Sequence, residues 1–531
     1  MGDPIVTVRE GKVKGKISTD FDGNNFYSFQ GIPYAKPPLG NLRFKAPHPP
    51  EKWSGILDAT EDGNECYAKN NTFSPSEDCL FINVFTKKIR AEKLKPVMFW
   101  IHGGGFTTGS SHSMIYGPEH LITQDVVLVT FNYRLGVLGF LSIEDSTLGV
   151  SGNAGLKDMV MALKWVQNNI TQFSGDPNNV TIVGNSAGGA SVHLLMLSPM
   201  AKGLFHKAIA QSGSALNGWA RGKKYSVHLL ADILGIESNN DRVILEQLQK
   251  ISVEELYKAA SKLIDPFYIG KVRPFGPIVE RGPSESSFLC EEPIDLIKSG
   301  KYHKVPLLMG YCSREGMFIY GMCTTTKGTH LLNDQTIVPY SMNLRIGSDQ
   351  YNSTVNSIKN FYLNGSDPLE TKDDIYRLYT DNFFLLEIYN SARYFLEAGN
   401  SPIYFYRFSL DTTLNFIKTM YSVEEPGACH ADELFYLFNS GFVSEDVNPG
   451  SSEYNGIQRI IKLWANFAKY GNPTPHVGDE LLSVTWKPLE LQRFNYLDIG
   501  EVLEMKIDPE KNVMDFWNNL YTEISVPKAK L

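Results

Sequence analysis

Apolar positions along the chain fall into two rhythms. IVTVREGKVKG near the start alternates apolar and polar residues around Glu10-Gly11, which predicts two short strands and a turn. Further on the runs become continuous: EDCLFINVF at 77–85, PVMFWIHGGGF at 96–106 and VVLVTFNYR at 126–134 are apolar and of strand length. GLKDMVMALKWVQNNI at 155–170 switches to helical spacing through Leu156, Val160, Leu163, Trp165 and Val166. NVTIVGNSAGGASVHLLML reads as strand, tight turn and helix. HKAIAQSGS, VPLLMGYCSRE and PIYFYRFSL read as later strands, and MDFWNNLYTEI as a C-terminal helix. A strand apolar at every position must be covered on both faces, and strands interleaved with helices pair in parallel. The pattern predicts an α/β fold with a large, mostly parallel sheet flanked by helices. No repeat, low-complexity tract or Gly/Ser linker marks a boundary, although 225–400 is more helical and polar, so one domain over 1–531 is expected.

Composition narrows the class. Apolar residues at 42%, charged at 20% and aromatic at 12% are ordinary globular usage, which excludes disorder, collagen-like repeats and a coiled coil. Fifty Lys and Arg against 58 Asp and Glu leave a net charge of −8, so no basic field favours nucleic acid. No apolar run reaches the roughly 18–20 residues of a membrane span. The start shows no charged region followed by an apolar one, and Val6 stands where a myristoylation motif after Met1-Gly2 wants Ser or Thr. A cytoplasmic chain is expected. The alternatives are secretion behind a leader that this sequence does not include, or a peroxisomal address in Ala529-Lys530-Leu531. Six cysteines are too few for a disulfide scaffold. Cys66 and Cys79 are placed to close one small bridge, whereas Cys290, Cys312, Cys323 and Cys429 lack metal-ligand spacing. Tripeptides beginning at Asn70, Asn169, Asn352 and Asn364 are glycosylation acceptors only in a secreted chain.

The sharpest chemical signal is Gly184-Asn185-Ser186-Ala187-Gly188, between the strand VTIV and a helix. That is the setting of a nucleophile elbow, where a strained turn leaves no room for side chains flanking the serine. The helix start beside Ser186 places partial positive charge near a developing oxyanion. His102-Gly103-Gly104-Gly105-Phe106 ends another strand, and such a glycine loop offers backbone N–H groups to the same charge. No Lys-Ser/Thr follows it, which disfavours a nucleotide loop. A serine nucleophile needs a base and a group to orient that base. In the chain order Ser, acid, His, only His303, His330, His430 and His476 lie far enough beyond Ser186. His430 sits in a loop entering a helix, and Glu315 follows the strand VPLLMGY directly. By pattern alone Glu315 is one carboxylate among 58.

Taken together the motifs resemble the carboxylesterase/cholinesterase family of α/β-hydrolases, nearly end to end. The likeness runs through FQGIPYAKPPLGNLRF at 29–44, SEDCLFINVF at 76–85, FWIHGGGF at 99–106 and NYRLGVLGFLS at 132–142. It continues through GNAGLKDMVMALKWVQNNI at 152–170, the elbow, FHKAIAQSGS at 205–214, SREG at 313–316 and GACHADEL at 427–434. Within the family the chain looks most like insect α-esterases, the cytosolic-type enzymes linked with organophosphate and malathion resistance. The resemblance implies an α/β-hydrolase fold and a serine carboxylesterase acting on small-molecule esters, sensitive to organophosphate inhibitors, with no metal or cofactor. It implies Ser186 as nucleophile, Glu315 as acid and His430 as base, with Gly104, Gly105 and Ala187 forming the oxyanion hole. Ser212 matches a second serine that buttresses the acid–base pair. Trp219 matches an acyl-pocket aromatic, with Phe106 and Asn185 also placed at the substrate. Arg43 with Glu77, and Arg134 with Asp158, match structural ion pairs.

Two departures stand out. Most relatives carry Glu where this chain has Asn185, and juvenile-hormone esterases carry Gln. Cholinesterases hold a choline-binding Trp inside the first disulfide loop, but YAKNNTFSPSED between Cys66 and Cys79 has none, so a choline ester is disfavoured. The rival expectations are a juvenile-hormone-esterase-like hydrolase and a protein that sequesters ligand or organophosphate with slow turnover. An adhesion protein of the same fold is disfavoured because the nucleophile, acid and base are all present.

Overall fold

A computed structural model describes the chain except residues 1–2, 69, 264–272, 283–285, 326–333, 366–370, 401, 444–446 and 526–531. Met1-Gly2, His330, Ser366 of the Asn364 tripeptide and the Ala529-Lys530-Leu531 tail lie outside the described residues.

Among the described residues the central sheet has eleven strands. In chain order they are β1 (Lys16–Thr19), β2 (Asn25–Pro33), β3 (Phe81–Thr86), β4 (Lys95–Ile101), β5 (Val127–Phe131) and β6 (Gly175–Asn185). They continue with β7 (Lys207–Gln211), β8 (Leu307–Cys312), β9 (Ile403–Phe408), β10 (Asn495–Ile499) and β11 (Leu503–Ile507). The spatial order is β11-β10-β9-β8-β7-β6-β4-β5-β3-β2-β1. From β10 to β5 every neighbouring pair is parallel. The strands beyond β10 and β5 join antiparallel. The two predicted N-terminal strands, Ile5–Thr7 and Lys12–Lys14, pair with each other in a separate small sheet.

The continuous apolar runs follow from this burial. Side chains alternate between faces along a strand. Val97, Phe99 and Ile101 of β4 pack in one core with Leu156, Leu163 and Val166 of α1 (Ala154–Asn169). Met98 and Trp100 pack in the opposite core with Ile461 and Trp464 of α2 (Ser452–Tyr470). Both faces are covered from Val97 to Ile101, so β4 is apolar throughout that stretch. The helical stretch expected over 225–400 is present and includes Asp349–Leu363, Lys372–Thr380 and Leu386–Glu397, the last of which packs on β8.

Both expected ion pairs are present. Arg134 Nε and Nη2 donate to the two oxygens of Asp158 at 2.8 and 2.6 Å, fully buried at the head of α1. Arg43 forks onto Glu77, with Nε donating at 2.7 Å. Cys66 and Cys79 are disulfide-bonded. Asn169 is buried and its side-chain amide is bonded to Arg9 N and Glu10, so its tripeptide is no acceptor in the folded chain.

A π-helical turn, Asp381–Leu385, carries a buried acid. Tyr362 Oη donates to Asp381 at 2.7 Å, and burial pushes the Asp381 carboxyl up to about 7. A carboxyl raised in the folded state binds its proton more tightly there than in the unfolded chain. Its contribution to stability is therefore full below pH ~4 and lost as pH rises through ~7, by up to about 4 kcal/mol for three pKa units. Asp381→Asn is expected to flatten the fall in melting temperature between pH 5 and pH 8. A variant that melts with the parent's pH profile would remove Asp381 as its source.

Candidate active site

β6 ends at Asn185, and Ser186 turns the chain with φ +58° before the helix Ala187–Leu197 begins. A non-glycine residue held there stores about 1–3 kcal/mol of strain, sustained only by tight surroundings. Those surroundings explain both flanking glycines. A Cβ on Gly184 would lie 2.5 Å from Gly188 C, and one on Gly188 would lie 2.0 Å from the Ile101 carbonyl oxygen. Ser186 N–H donates to Gln211 O at 2.8 Å, which ties the turn to the end of β7. Asn185 and Ala187 are buried, whereas Ser186 is partly open.

The glycine loop leaves β4 beside this turn, and a Cβ on Gly103 would meet Ser186 Cβ at 3.1 Å. Gly104 and Gly105 take φ +108° and +61°, and a Cβ on Gly104 would collide with Thr108 O at 2.1 Å. Among the described residues neither Gly104 N–H nor Gly105 N–H donates to a protein acceptor. Ala187 N–H is the first amide of its helix and has no intrahelical acceptor by position. His102 braces the loop. Its ring stacks on Tyr133 at 4.3 Å, its Nδ1 lies 2.8 Å from Gly103 O, and burial brings its pKa down to about 4, so it is neutral.

Glu315 and His430 meet at the carboxyl end of β8. Glu315 is fully buried; its Oε1 accepts the Cys312 N–H at 2.7 Å and its Oε2 contacts His430 Nδ1. The loop holding His430 is fixed by Asp432, which accepts N–H groups from Cys429 at 2.7 Å and Ile417 at 2.9 Å. Phe384 and Phe318 flank the imidazole at 4.5 and 5.0 Å. Neither Ser186 Oγ nor His430 Nε2 carries a hydrogen bond to a described residue. What joins their two segments is Asn185 Nδ2 donating to Glu433 Oε1 at 3.1 Å.

Glu433 is the site residue that sequence reasoning missed. Besides Asn185, it accepts Gln211 Nε2 at 3.1 Å and the Cys312 thiol at 2.9 Å. Trp464 Nε1 in turn donates to Gln211 Oε1 at 3.2 Å. The ends of β6, β7 and β8 thus converge on one buried carboxylate beneath the serine and the histidine. Burial, followed by the nearby charge of Glu315, pushes the Glu433 carboxyl above its ordinary value.

The other expected site residues have these surroundings. Asn185 is 2% exposed and its amide donates to Glu433. Phe106 is wholly buried and packs edge-on against Phe140, because its φ of +62° turns the ring into the core. Ser212 Oγ is buried and makes no hydrogen bond to a described residue. Trp219, expected in the acyl pocket, is linked to the histidine among the described residues only through Phe384. Its Nε1 donates to Phe383 O at 2.8 Å, and its ring stands 6.0 Å from Phe384, the ring that covers His430. The other histidines considered are elsewhere: His303 bonds Ser198 O, and His476 packs on Tyr470.

A mostly parallel sheet with a strained serine between strand and helix defines an α/β-hydrolase. Comparison with known proteins narrows the class. Residues 2–517 match the carboxylesterase family. Juvenile hormone esterase of Tribolium castaneum is 34% identical, with 95% of this chain and 89% of that protein aligned. Esterase FE4 of Myzus persicae is 34% identical over 97% of this chain and 92% of its own length. Among solved structures, juvenile hormone esterase from Manduca sexta with OTFP covalently attached superposes with a TM-score of 0.87. It is 30% identical, over 98% of this chain and 100% of that one. The chain belongs to the carboxylesterase family. It is a carboxylic ester hydrolase. Among the described residues no helix is long and apolar enough to cross a membrane.

Proposed function

We propose that Ser186 is the nucleophile of an acyl-enzyme cycle, with His430 as general base and Glu315 as its orienting acid. The observation that carries this reading is the buried contact of Glu315 Oε2 with His430 Nδ1, in a loop tied through Asn185 and Glu433 to a serine held in a strained, partly open turn. A carboxylate on Nδ1 keeps the proton there and leaves Nε2 with its lone pair. Ser186 Oγ attacks the ester carbonyl as Nε2 takes its proton, and the oxyanion gathers N–H groups from Gly104, Gly105 and Ala187. Collapse breaks the ester C–O bond, and the alcohol leaves with the proton from Nε2. Water then gives a proton to Nε2, attacks the acyl group, and the acid departs as Ser186 regains its hydrogen.

An acyl pocket beside His430, with Trp219 and Phe384 limiting the acyl half of the substrate, is supported by the ring contacts that run from Trp219 through Phe384 to the imidazole. The substrates we assign are small xenobiotic or lipid-like esters, with organophosphates as inhibitors that phosphorylate Ser186, in a detoxifying role. Trp219→Gly is expected to speed esters with branched or bulky acyl groups by about tenfold or more, the scale of a few methylenes in an apolar pocket. A uniform loss across p-nitrophenyl esters from acetate to octanoate would assign Trp219 to packing instead.

A second reading, hydrolysis of a juvenile-hormone-type ester, is supported by the two similar juvenile hormone esterases. Competition between juvenile hormone and the p-nitrophenyl series separates the two readings. A stoichiometric burst with almost no turnover would favour a sequestering protein. For compartment, the Cys66–Cys79 bond supports the secreted alternative over the cytoplasmic one, because such bonds persist in oxidising surroundings. Alkylation of the native-source protein without reductant is expected to leave both cysteines unlabelled, and labelling of both would favour the cytoplasmic reading.

A further inference from the structure

Ala220, Arg221 and Gly222, which follow Trp219, line a cavity of about 290 Å³. Its deeper wall is apolar and buried, made by Leu194, Ala215, Ala220, Ile278 and Leu289. Leu194 comes from the helix that follows Ser186, so the floor is rigid. The mouth is different in kind. Arg221, Lys223 and Lys224 line it together with Glu292, and the phenol of Tyr340 stands 47% exposed at its edge. Glu292 is held by Arg221 Nη2 at 2.9 Å, which leaves the charges of Lys223 and Lys224 uncompensated by any ion pair among the described residues. On a chain of net charge −8, two unpaired lysines at the opening of an apolar cavity form a local anion-attracting rim.

An apolar cavity with a few polar groups at one end is the usual form of a small-molecule site. Its volume corresponds to about ten non-hydrogen atoms at the ~30 Å³ that a water occupies in the liquid. We propose that this cavity binds a medium-chain carboxylate, with its tail along Leu194, Ile278 and Leu289 and its head at Lys223 and Lys224. None of these residues belongs to the catalytic constellation, so the site is separate from the chemistry. It adjoins that chemistry through the backbone, because Ala220 and Arg221 directly follow Trp219.

The test is titration calorimetry of the full chain with decanoate, repeated with butyrate and at raised sodium chloride. One saturable site is expected for decanoate, at least tenfold weaker for butyrate, which lacks the tail, and weakening with salt as the rim is screened. The double variant Lys223→Glu/Lys224→Glu is expected to weaken decanoate at least tenfold while p-nitrophenyl acetate turnover stays at the parent level. Val279→Trp, which fills the cavity from its half-buried wall, is expected to do the same. Because binding is read by heat, the result is independent of whether Ser186 is the nucleophile. Absence of saturable binding, or decanoate binding that the lysine pair leaves unchanged, overturns the proposal. If Val279→Trp fails to fold, the surface lysine pair still decides.

Discussion

Replacing Ser186 with alanine is expected to lower kcat for p-nitrophenyl acetate by about 10⁴-fold or more, the scale on which serine hydrolases lose activity without their nucleophile. The melting temperature should hardly move. Ser186 Oγ makes no hydrogen bond to a described residue, and alanine keeps the Cβ that the turn already accommodates. The elbow is held by backbone contacts, Ser186 N–H to Gln211 O and Ala190 N–H to Ser186 O, which the substitution leaves in place. Folding and catalysis therefore separate cleanly at this residue, and steady-state kinetics beside a thermal melt reads both. Turnover retained within tenfold of the parent would remove Ser186 from the mechanism.

Glu315→Gln is expected to cost about 10⁴-fold in kcat, the scale seen when an orienting carboxylate in a serine triad becomes an amide. Glutamine is nearly isosteric, and its carbonyl oxygen can still accept the Cys312 N–H that now bonds Oε1. That leaves the NH₂ group facing His430 Nδ1. An amide donor there makes Nδ1 an acceptor and moves the imidazole proton to Nε2, the atom that must receive the proton of Ser186. The base is then blocked by its tautomer, with the fold unchanged. Titrating kcat against pH alongside a thermal melt checks this. A loss of less than tenfold would mean that Glu315 supports the loop rather than the base.

How much of this was legible in sequence depends on whether a residue's constraint is local. The sheet was legible because the middles of β4 and its neighbours are buried on both faces, which favours apolar side chains and leaves nearly continuous apolar runs. The elbow was legible because Gly184 and Gly188 are forced by contacts within a few residues of Ser186 and the end of β4. Glu315 was not legible by pattern, and only the resemblance singled it out, because its partner lies 115 residues away. Glu433 is further from reach. Its partners Asn185, Gln211 and Cys312 come from three strand ends that the parallel topology alone brings together. Asn185 was placed at the substrate by resemblance alone, and its bond to the buried Glu433 carboxylate was out of sequence reach for the same reason. The surroundings of Ser212 and Phe106 are likewise set by long-range packing that no spacing encodes. Trp219 was placed by resemblance, but its anchor, the Phe383 carbonyl in the π-helical turn, is 164 residues downstream.

The central claim is that one serine, Ser186, forms the covalent intermediate. The most direct measurement is to treat the protein with diethyl 4-nitrophenyl phosphate, follow residual esterase activity, and map the modified residue by peptide mass spectrometry. The account predicts one diethylphosphoryl group per chain, on Ser186, with activity lost in proportion to labelling and no labelling in Ser186→Ala. Full inactivation with the adduct on another residue, or full labelling of Ser186 with activity intact, would contradict it.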